Sequence, residues 1–202
     1  MTKLLLATNN VGKRREYSLL LKGIPFQLTT PAEENKEMVV EETGATLEAN
    51  AILKAMAFAS YTKLLTLADD SGLEVDALGG EPGPLSARYA GGNASDKDLV
   101  GYLLSKLKGF PWEKRTARFR CVIAIADSSG EVQLCEGHCS GVITDEPKGS
   151  EGFGYDPVFY VPELGKVMAE LSTEEKNQVS HRGRAARGAQ KILYSLGTGA
   201  DS

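Results

Sequence analysis

Hydrophobic positions change their period several times along the chain, and each change marks an element. After Lys3, residues 3–8 run almost continuously apolar, the pattern of a strand buried on both faces. Asn10 can cap a helix that runs to about residue 22, where Gly23 and Pro25 stop it. Residues 26–29 read as a short strand. Thr46 caps a second, Ala-rich helix ending near residue 61. Residues 65–68 form a strand that runs into Asp69-Asp70-Ser71-Gly72. Beyond it Leu73, Val75 and Ala77 alternate with Glu74 and Asp76, which predicts a further strand. Ser95-x-x-Asp98 has the pattern of a capping box. The helix behind it sets Leu99, Val100, Leu103, Leu104 and Leu107 on one face. Ala117, Phe119, Cys121, Ile123 and Ile125 then alternate, residues 127–130 turn, and a return strand starts at Val132, so this stretch is a hairpin. Ser180 can cap a last helix with Ala185, Ala189, Ile192 and Leu196 inward. Strand-to-helix steps and a hairpin in one chain predict an α/β fold with a mixed sheet.

Composition narrows this picture. The 202 residues hold no repeat, low-complexity tract or linker, which predicts a single domain over 1–202, built at most as two intimate lobes. Hydrophobic residues make up 42% and charged residues 25%, which excludes collagen-like, disordered and disulfide-scaffold classes. With 23 Lys+Arg against 27 Asp+Glu the net charge is -4, a poor balance for coating duplex nucleic acid, so no nucleic-acid partner is expected. The longest apolar run, 121–126, is far short of the roughly 20 residues that cross a membrane. The opening Met-Thr-Lys-Leu-Leu-Leu-Ala is too short for a signal peptide. The three cysteines are Cys121, Cys135 and Cys139. Strand alternation puts Cys135 and Cys139 on one face and His138 on the other, so they read as buried free thiols of a reducing cytoplasm rather than a zinc site.

Four polar groups carry candidate chemistry. Thr8-Asn9-Asn10-Val11-Gly12-Lys13 joins a buried strand to a helix start, where free N–H groups, the helix dipole and Lys13 favour a phosphate. It lacks the Gly-x4-Gly-Lys-Ser/Thr spacing of a Walker A loop. The acidic pairs Glu41-Glu42 and Asp69-Asp70 come second. Asp69-Asp70 is expected to emerge at the carboxyl end of its strand, where ligands of open α/β sheets sit. Carboxylates crowded near phosphates need a hard cation between them, and Mg²⁺ fits. Third, Gly79-Gly-Glu-Pro-Gly-Pro84 with Ser86-Ala-Arg-Tyr89, and Gly152-Phe-Gly-Tyr-Asp-Pro157, are shaped loops. The second of them either presents Phe153 for stacking on a base or buries it in the core. Fourth, Lys176, His181, Arg182, Arg184 and Arg187 form a basic cluster in an acidic protein. Arg182 opposes the dipole at a helix start, which points to an acidic or keto-bearing ligand.

Together these blocks resemble the family of inosine and xanthosine triphosphate pyrophosphatases. The resemblance runs through 7–13, 41–54, 68–80, 86–89, 152–157 and 180–182, in the family's order and over nearly the whole chain. It implies a long mixed β-sheet with flanking helices, two lobes around a deep nucleotide cleft, and a cytoplasmic homodimer. It implies that Thr8, Asn9, Asn10, Val11, Gly12 and Lys13 hold the triphosphate with Lys54. Glu41 and Asp70 would bind Mg²⁺, and Asp70 would also be the proton acceptor. Ser71 would touch the substrate. Phe153, Gly154, Tyr155, Asp156, Lys176, His181 and Arg182 would surround the purine, with Arg182 donating to a 6-keto group. The implied reaction converts non-standard purine nucleoside triphosphates such as ITP, dITP and XTP to the monophosphate and pyrophosphate, which cleanses the nucleotide pool. Two other readings stand beside it: a septum-inhibitor-like pyrophosphatase with another base preference, and a nucleotide-binding module without turnover.

Overall fold

A computed structural model describes residues 2–198. In chain order the elements are β1 (Lys3–Leu6), α1 (Val11–Leu20), β2 (Gln27–Thr29), α2 (Leu47–Thr62), β3 (Leu65–Val75) and β4 (Pro82–Gly83). They continue with α3 (Asp96–Lys106), β5 (Thr116–Ala126), β6 (Val132–Ile143), β7 (Phe159–Val161), β8 (Lys166–Val167), α4 (Thr173–Val179) and α5 (His181–Thr198). The strands follow the order β2-β1-β3-β5-β6-β7-β8, with β4 paired to β3. β1 is parallel to both β2 and β3, while β4 on β3, β7 on β6 and β8 on β7 are antiparallel, so the sheet is mixed. The caps read from the sequence form. Asn10 and Thr46 accept from the amides of Lys13 and Ala49, and Ser95 with Asp98 makes a complete capping box.

The chain divides into two compact units. The first takes in the described residues through Asp70, then Cys121–Gly137, then those from Arg182 on; the second takes in Ser71–Arg120 and His138–His181. In the first unit the apolar runs of β1 and β5 feed two cores at once. Leu4, Leu6, Cys121, Ile123 and Ile125 face Tyr17 of α1 and Ala185, Ala189 and Leu193 of α5. Leu5, Ala7, Val122, Ala124 and Ala126 face Leu47, Ala51, Ala55, Phe58 and Ala59 of α2. A strand packed on both faces must be apolar at every position, which is why period-2 alternation is missing in β1 and gives way in β5 to an unbroken apolar run over 121–126. The second unit has one core, in which Leu99, Val100 and Leu103 of α3 meet Leu73, Val75, Phe119 and Phe159.

Three expectations need correction. The two strands expected at 65–68 and over Leu73, Val75 and Ala77 are one: β3 runs unbroken from Leu65 through Asp69-Asp70-Ser71-Gly72 to Val75, and Asp76–Leu78 form a turn of 3-10 helix. The carboxylates therefore sit mid-strand rather than at a carboxyl end. Polar residues look like a strand terminus in the sequence, but here ion pairs compensate their burial. Leu196, placed inward on α5, is exposed, and Leu193 takes the core position instead. α4, capped by Ser172, is an additional helix whose seven residues are too polar to show a periodic apolar stripe.

The Gly-Pro loop is tied down rather than loose. Ser86 Oγ donates to the Gly83 carbonyl at 2.6 Å and accepts from the Leu73 amide at 2.8 Å. A Cβ at Gly72 would land on the Gly83 carbonyl, so β3 and β4 can approach only over glycine. We expect Gly72→Ala to destabilise the protein by about 1–3 kcal/mol, the range for forcing extra volume into a packed site, read from urea unfolding midpoints.

Candidate active site

The two adjacent acids of β3 point to opposite faces, as strand geometry requires. Asp69 faces α1 and α5. Its Oδ2 lies 3.0 Å from Lys13 Nζ and 3.6 Å from Arg182 Nε, and Cys121 Sγ donates to it at 3.8 Å. Arg182 Nη1 pairs with Glu16 Oε2 at 2.6 Å, and its guanidinium lies 6.0 Å from the Tyr17 ring centroid. Burial alone would push the Asp69 carboxyl up, but the charges of Lys13, Arg182 and Lys54 win and hold it far below the usual carboxylate range. Its Oδ1 is buried with no hydrogen-bond partner among the described residues. Burial pushes the neighbouring Cys121 thiol up to about 12, with the Asp69 charge adding to it.

Asp70 faces α2. Asn50 Nδ2 donates to its Oδ2 at 3.0 Å, and Lys54 Nζ lies 3.9 Å from its Oδ1. Lys54 also reaches Glu42 at 2.6 Å and the Asp69 carbonyl at 2.7 Å. Here the balance tips the other way. Burial raises the Asp70 carboxyl and Glu42 adds to the rise, which outweighs Lys54 and Lys13. Burial would lower Lys54, but Asp69, Asp70 and Glu42 carry it above its ordinary value. Thus the two neighbouring carboxyls are driven in opposite directions, Asp69 down and Asp70 up.

The segment from Thr8 to Lys13 ends β1 and starts α1. Thr8 Oγ1 accepts from the Asn10 amide at 3.2 Å, and Asn10 Oδ1 accepts from the Lys13 amide at 2.9 Å. Val11 is exposed, Asn9 is exposed, and the first turn of α1 contains no acid, so nothing there opposes an anion. The first unit therefore gathers Lys13, Lys54, Asp70 and Arg182 of the expected residues. Glu41 is exposed, and it is Glu42 that meets Lys54.

In the second unit Phe153, Asp156 and Lys176 form a compact group. Asp156 Oδ2 accepts from the Phe153 amide at 3.0 Å and from Lys176 Nζ at 2.7 Å. The ammonium lies 5.1 Å from the Phe153 ring centroid. Phe153 is only partly buried, which settles against a core position for it. Gly152 is required here, since a Cβ would strike the Asp156 carboxylate. Gly154 donates to Asp96 Oδ2 at 2.8 Å. Tyr155 is buried and donates to the Ser86 carbonyl at 2.8 Å, a structural contact. His181 stacks on Phe119 with centroids 4.7 Å apart. Ser71 is partly buried on β3.

Sequence reasoning missed Glu16 and Asn50. Asn50 is a polar residue inside the apolar stripe of α2, and Glu16 lies one turn beyond Lys13 on α1; those positions were the available signals. Among the described residues no three or more His, Cys, Asp or Glu side chains cluster as a ready metal cage. Mg²⁺ needs no such cage, because it binds through one or two carboxylates plus phosphate oxygens and water. Asp70, raised by burial and by Glu42, is a carboxylate whose ionised form a cation would relieve, so the residues fit the ion.

The comparisons with known proteins agree in one direction. A family model described as the Ham1 family matches residues 4–192. A dITP/XTP pyrophosphatase of Desulforamulus reducens is 54% identical over 194 residues, covering 96% of each chain. One of Geobacter sulfurreducens is 52% identical over 185 residues, covering 92% of this chain and 93% of its own. The solved structure of the Staphylococcus aureus Ham1 protein superposes with a TM-score of 0.86 at 44% identity, covering 96% of this chain and all of that one.

The electrostatics of Asp69 yield a pH prediction. Its carboxyl is lower in the folded state than in the unfolded chain, so its stabilisation is complete above the unfolded value of about 3.9 and is lost as pH falls through the folded one. Asp69→Asn should therefore be markedly less stable than the parent at pH 7. The gap in unfolding free energy should narrow steadily below about pH 4, as urea titrations at several pH values would read.

Proposed function

This chain belongs to the Ham1 family, and we infer that it acts as its relatives are named, as a pyrophosphatase of non-standard purine nucleoside triphosphates. The observation that carries this reading is the pairing on β3: Asp70 held beside Asn50 and Lys54 on one face, and Asp69 anchoring Lys13 on the other. The septum-inhibitor-like alternative is not favoured, since relatives at 54% and 52% identity are named for dITP and XTP. A binding module without turnover is not favoured either, since these relatives are named as pyrophosphatases.

In the proposed reaction water attacks the α-phosphorus, the bond to the bridging oxygen of the pyrophosphoryl group breaks, and the products are a nucleoside monophosphate and pyrophosphate. Asp70, held by Asn50 and Lys54, takes the proton of the attacking water. Lys13, Lys54 and the amides around Asn10 and Gly12 hold the phosphates and the leaving pyrophosphate. Asp70, with Glu41 or Glu42, would hold Mg²⁺, which when bound supplies charge neutralisation to the phosphates.

Base recognition is assigned to the Phe153 group. Phe153 offers a ring for stacking, and Lys176 offers a donor fixed by Asp156. A 6-keto purine accepts from such a donor, whereas the 6-amino group of adenine does not. Arg182, expected in that role, is ion-paired with Glu16 and Asp69 much as Lys176 is with Asp156, and it remains a candidate donor to the keto group. The homodimer and the cytoplasmic setting belong to the same proposal. No helix among the described residues is long and apolar enough to cross a membrane.

The test is product analysis with ITP, dITP, XTP, GTP and ATP. Monophosphate and pyrophosphate should appear with the non-standard purines, only with a divalent cation present. Orthophosphate as first product, or full activity in excess chelator, overturns the mechanism. Asp70→Asn should lower kcat by about 10²–10⁴-fold, the usual contribution of a general base, with the fold retained by circular dichroism. Lys176→Met should reduce kcat/KM for ITP far more than for ATP, while Phe153→Ala should reduce both; an unchanged ITP/ATP ratio in Lys176→Met would place selectivity elsewhere.

A further inference from the structure

Phe153 stands between two glycines, and local backbone preference does not dictate where its ring points. Gly152 and Gly154 both have positive φ, 82° and 64°, a region that glycine enters without steric cost. The backbone can therefore swivel on either side of the ring. The direction of the Phe153 Cα–Cβ bond is set instead by the two peptide planes that flank its Cα, because each peptide unit is rigid and only φ and ψ turn. A carboxylate holds each plane. The Phe153 amide donates to Asp156 Oδ2 at 3.0 Å, and the Gly154 amide donates to Asp96 Oδ2 at 2.8 Å.

The two carboxylates differ in origin. Asp156 belongs to the loop itself and is tied to Lys176, so the first plane and the ammonium beside the ring form one piece. Asp96 comes from 58 residues earlier, at the first residue of α3. That helix start is well fixed: Ser95 and Asp98 complete its capping box, and Leu99, Val100 and Leu103 lie in the core of the unit. The helix dipole explains an acid at this position, but not its bond to a distant loop amide. We propose that Asp96 is a positioning residue: by holding the Gly154 amide it fixes the Phe153 ring in the orientation that stacks on the purine. Without the Asp96 carboxylate the plane between Phe153 and Gly154 is released, and the ring must be ordered at the moment of binding. Asp96 acts through the ring, so the consequence falls on affinity for the base, not on phosphate binding or on the choice between 6-keto and 6-amino groups. This inference rests on the reading of Phe153 as the stacking ring.

The test compares ligands with and without a base on the full chain. Asp96→Ala should raise the KM for ITP by about three- to tenfold, the weight of one hydrogen bond that water can replace, with kcat falling less. The Ki of inorganic pyrophosphate, which carries no base, should not move, and the ITP/ATP ratio of kcat/KM should stay as in the parent. Asp96→Asn keeps an acceptor oxygen and should recover most of the loss. Asp98→Ala breaks the capping box but leaves Asp96 in place, so it should lower stability without raising KM. In a Phe153→Ala background Asp96→Ala should change KM no further, because the two residues act as one unit. An unmoved KM, a pyrophosphate Ki that rises with it, an equal effect in the Phe153→Ala background, or the same loss in Asp98→Ala overturns the proposal. Should Asp96→Ala fail to fold, Asp96→Ser, whose short hydroxyl suits a helix start, decides the same question in both backgrounds. If Phe153→Ala itself leaves the KM for ITP unchanged, the stacking reading fails; if it raises KM and Asp96→Ala does not, only the role of Asp96 fails.

Discussion

The site depends on one geometric constraint, the alternation of side chains along β3. Because consecutive residues of a strand face opposite ways, Asp69 and Asp70 cannot share an environment. Asp69 enters the layer of α1 and α5 and is met there by Lys13 and Arg182. Asp70 enters the layer of α2 and is met by Asn50 and Lys54. Two identical carboxyls, one bond step apart, are thereby driven in opposite directions. The apolar strands on either side make this effective. β1 and β5 are buried on both faces, so charges between the layers lose solvent and respond strongly to their neighbours.

A buried ion network of this kind is weak support for stability, since desolvation offsets much of the pairing. Its value lies in fixing positions. Glu16, Arg182, Asp69 and Lys13 have little freedom once mutually paired, and Lys54 is fixed by Glu42 and a backbone carbonyl at once. The second unit repeats the device on a smaller scale, with Asp156 holding both the Phe153 amide and the Lys176 ammonium. Backbone freedom is spent at Gly152 to make room for that carboxylate.

Much of this was legible in the sequence wherever local chemistry decides. The caps at Asn10, Thr46 and Ser95 and the hairpin of β5 and β6 follow from short-range patterns and stand as read. Long-range pairings were not legible. Nothing local to Asp69-Asp70 tells that the strand continues, because the cations that make burial tolerable come from α1, α2 and α5, far away in sequence. The same holds for Arg182. Its position against the helix dipole was visible, but the carboxylate that compensates it, Glu16, lies 166 residues earlier. Glu41 and Glu42 show the limit at the finest scale: adjacent acids of one loop are equivalent in composition, and only the chain path brings Glu42 to Lys54.

None of the three cysteines is in a disulfide and all are buried, with Cys121 and Cys135 in the first unit and Cys139 in the second. A thiol reagent reacts with the exposed thiolate, and Cys121 offers neither exposure nor ionisation in the folded chain. Labelling must then wait for an opening of the surrounding packing, so its rate measures how often that packing opens. The protein carries its own clock for breathing motions. Mass spectrometry of the three tagged peptides would time the two units separately, with no substitution in the chain.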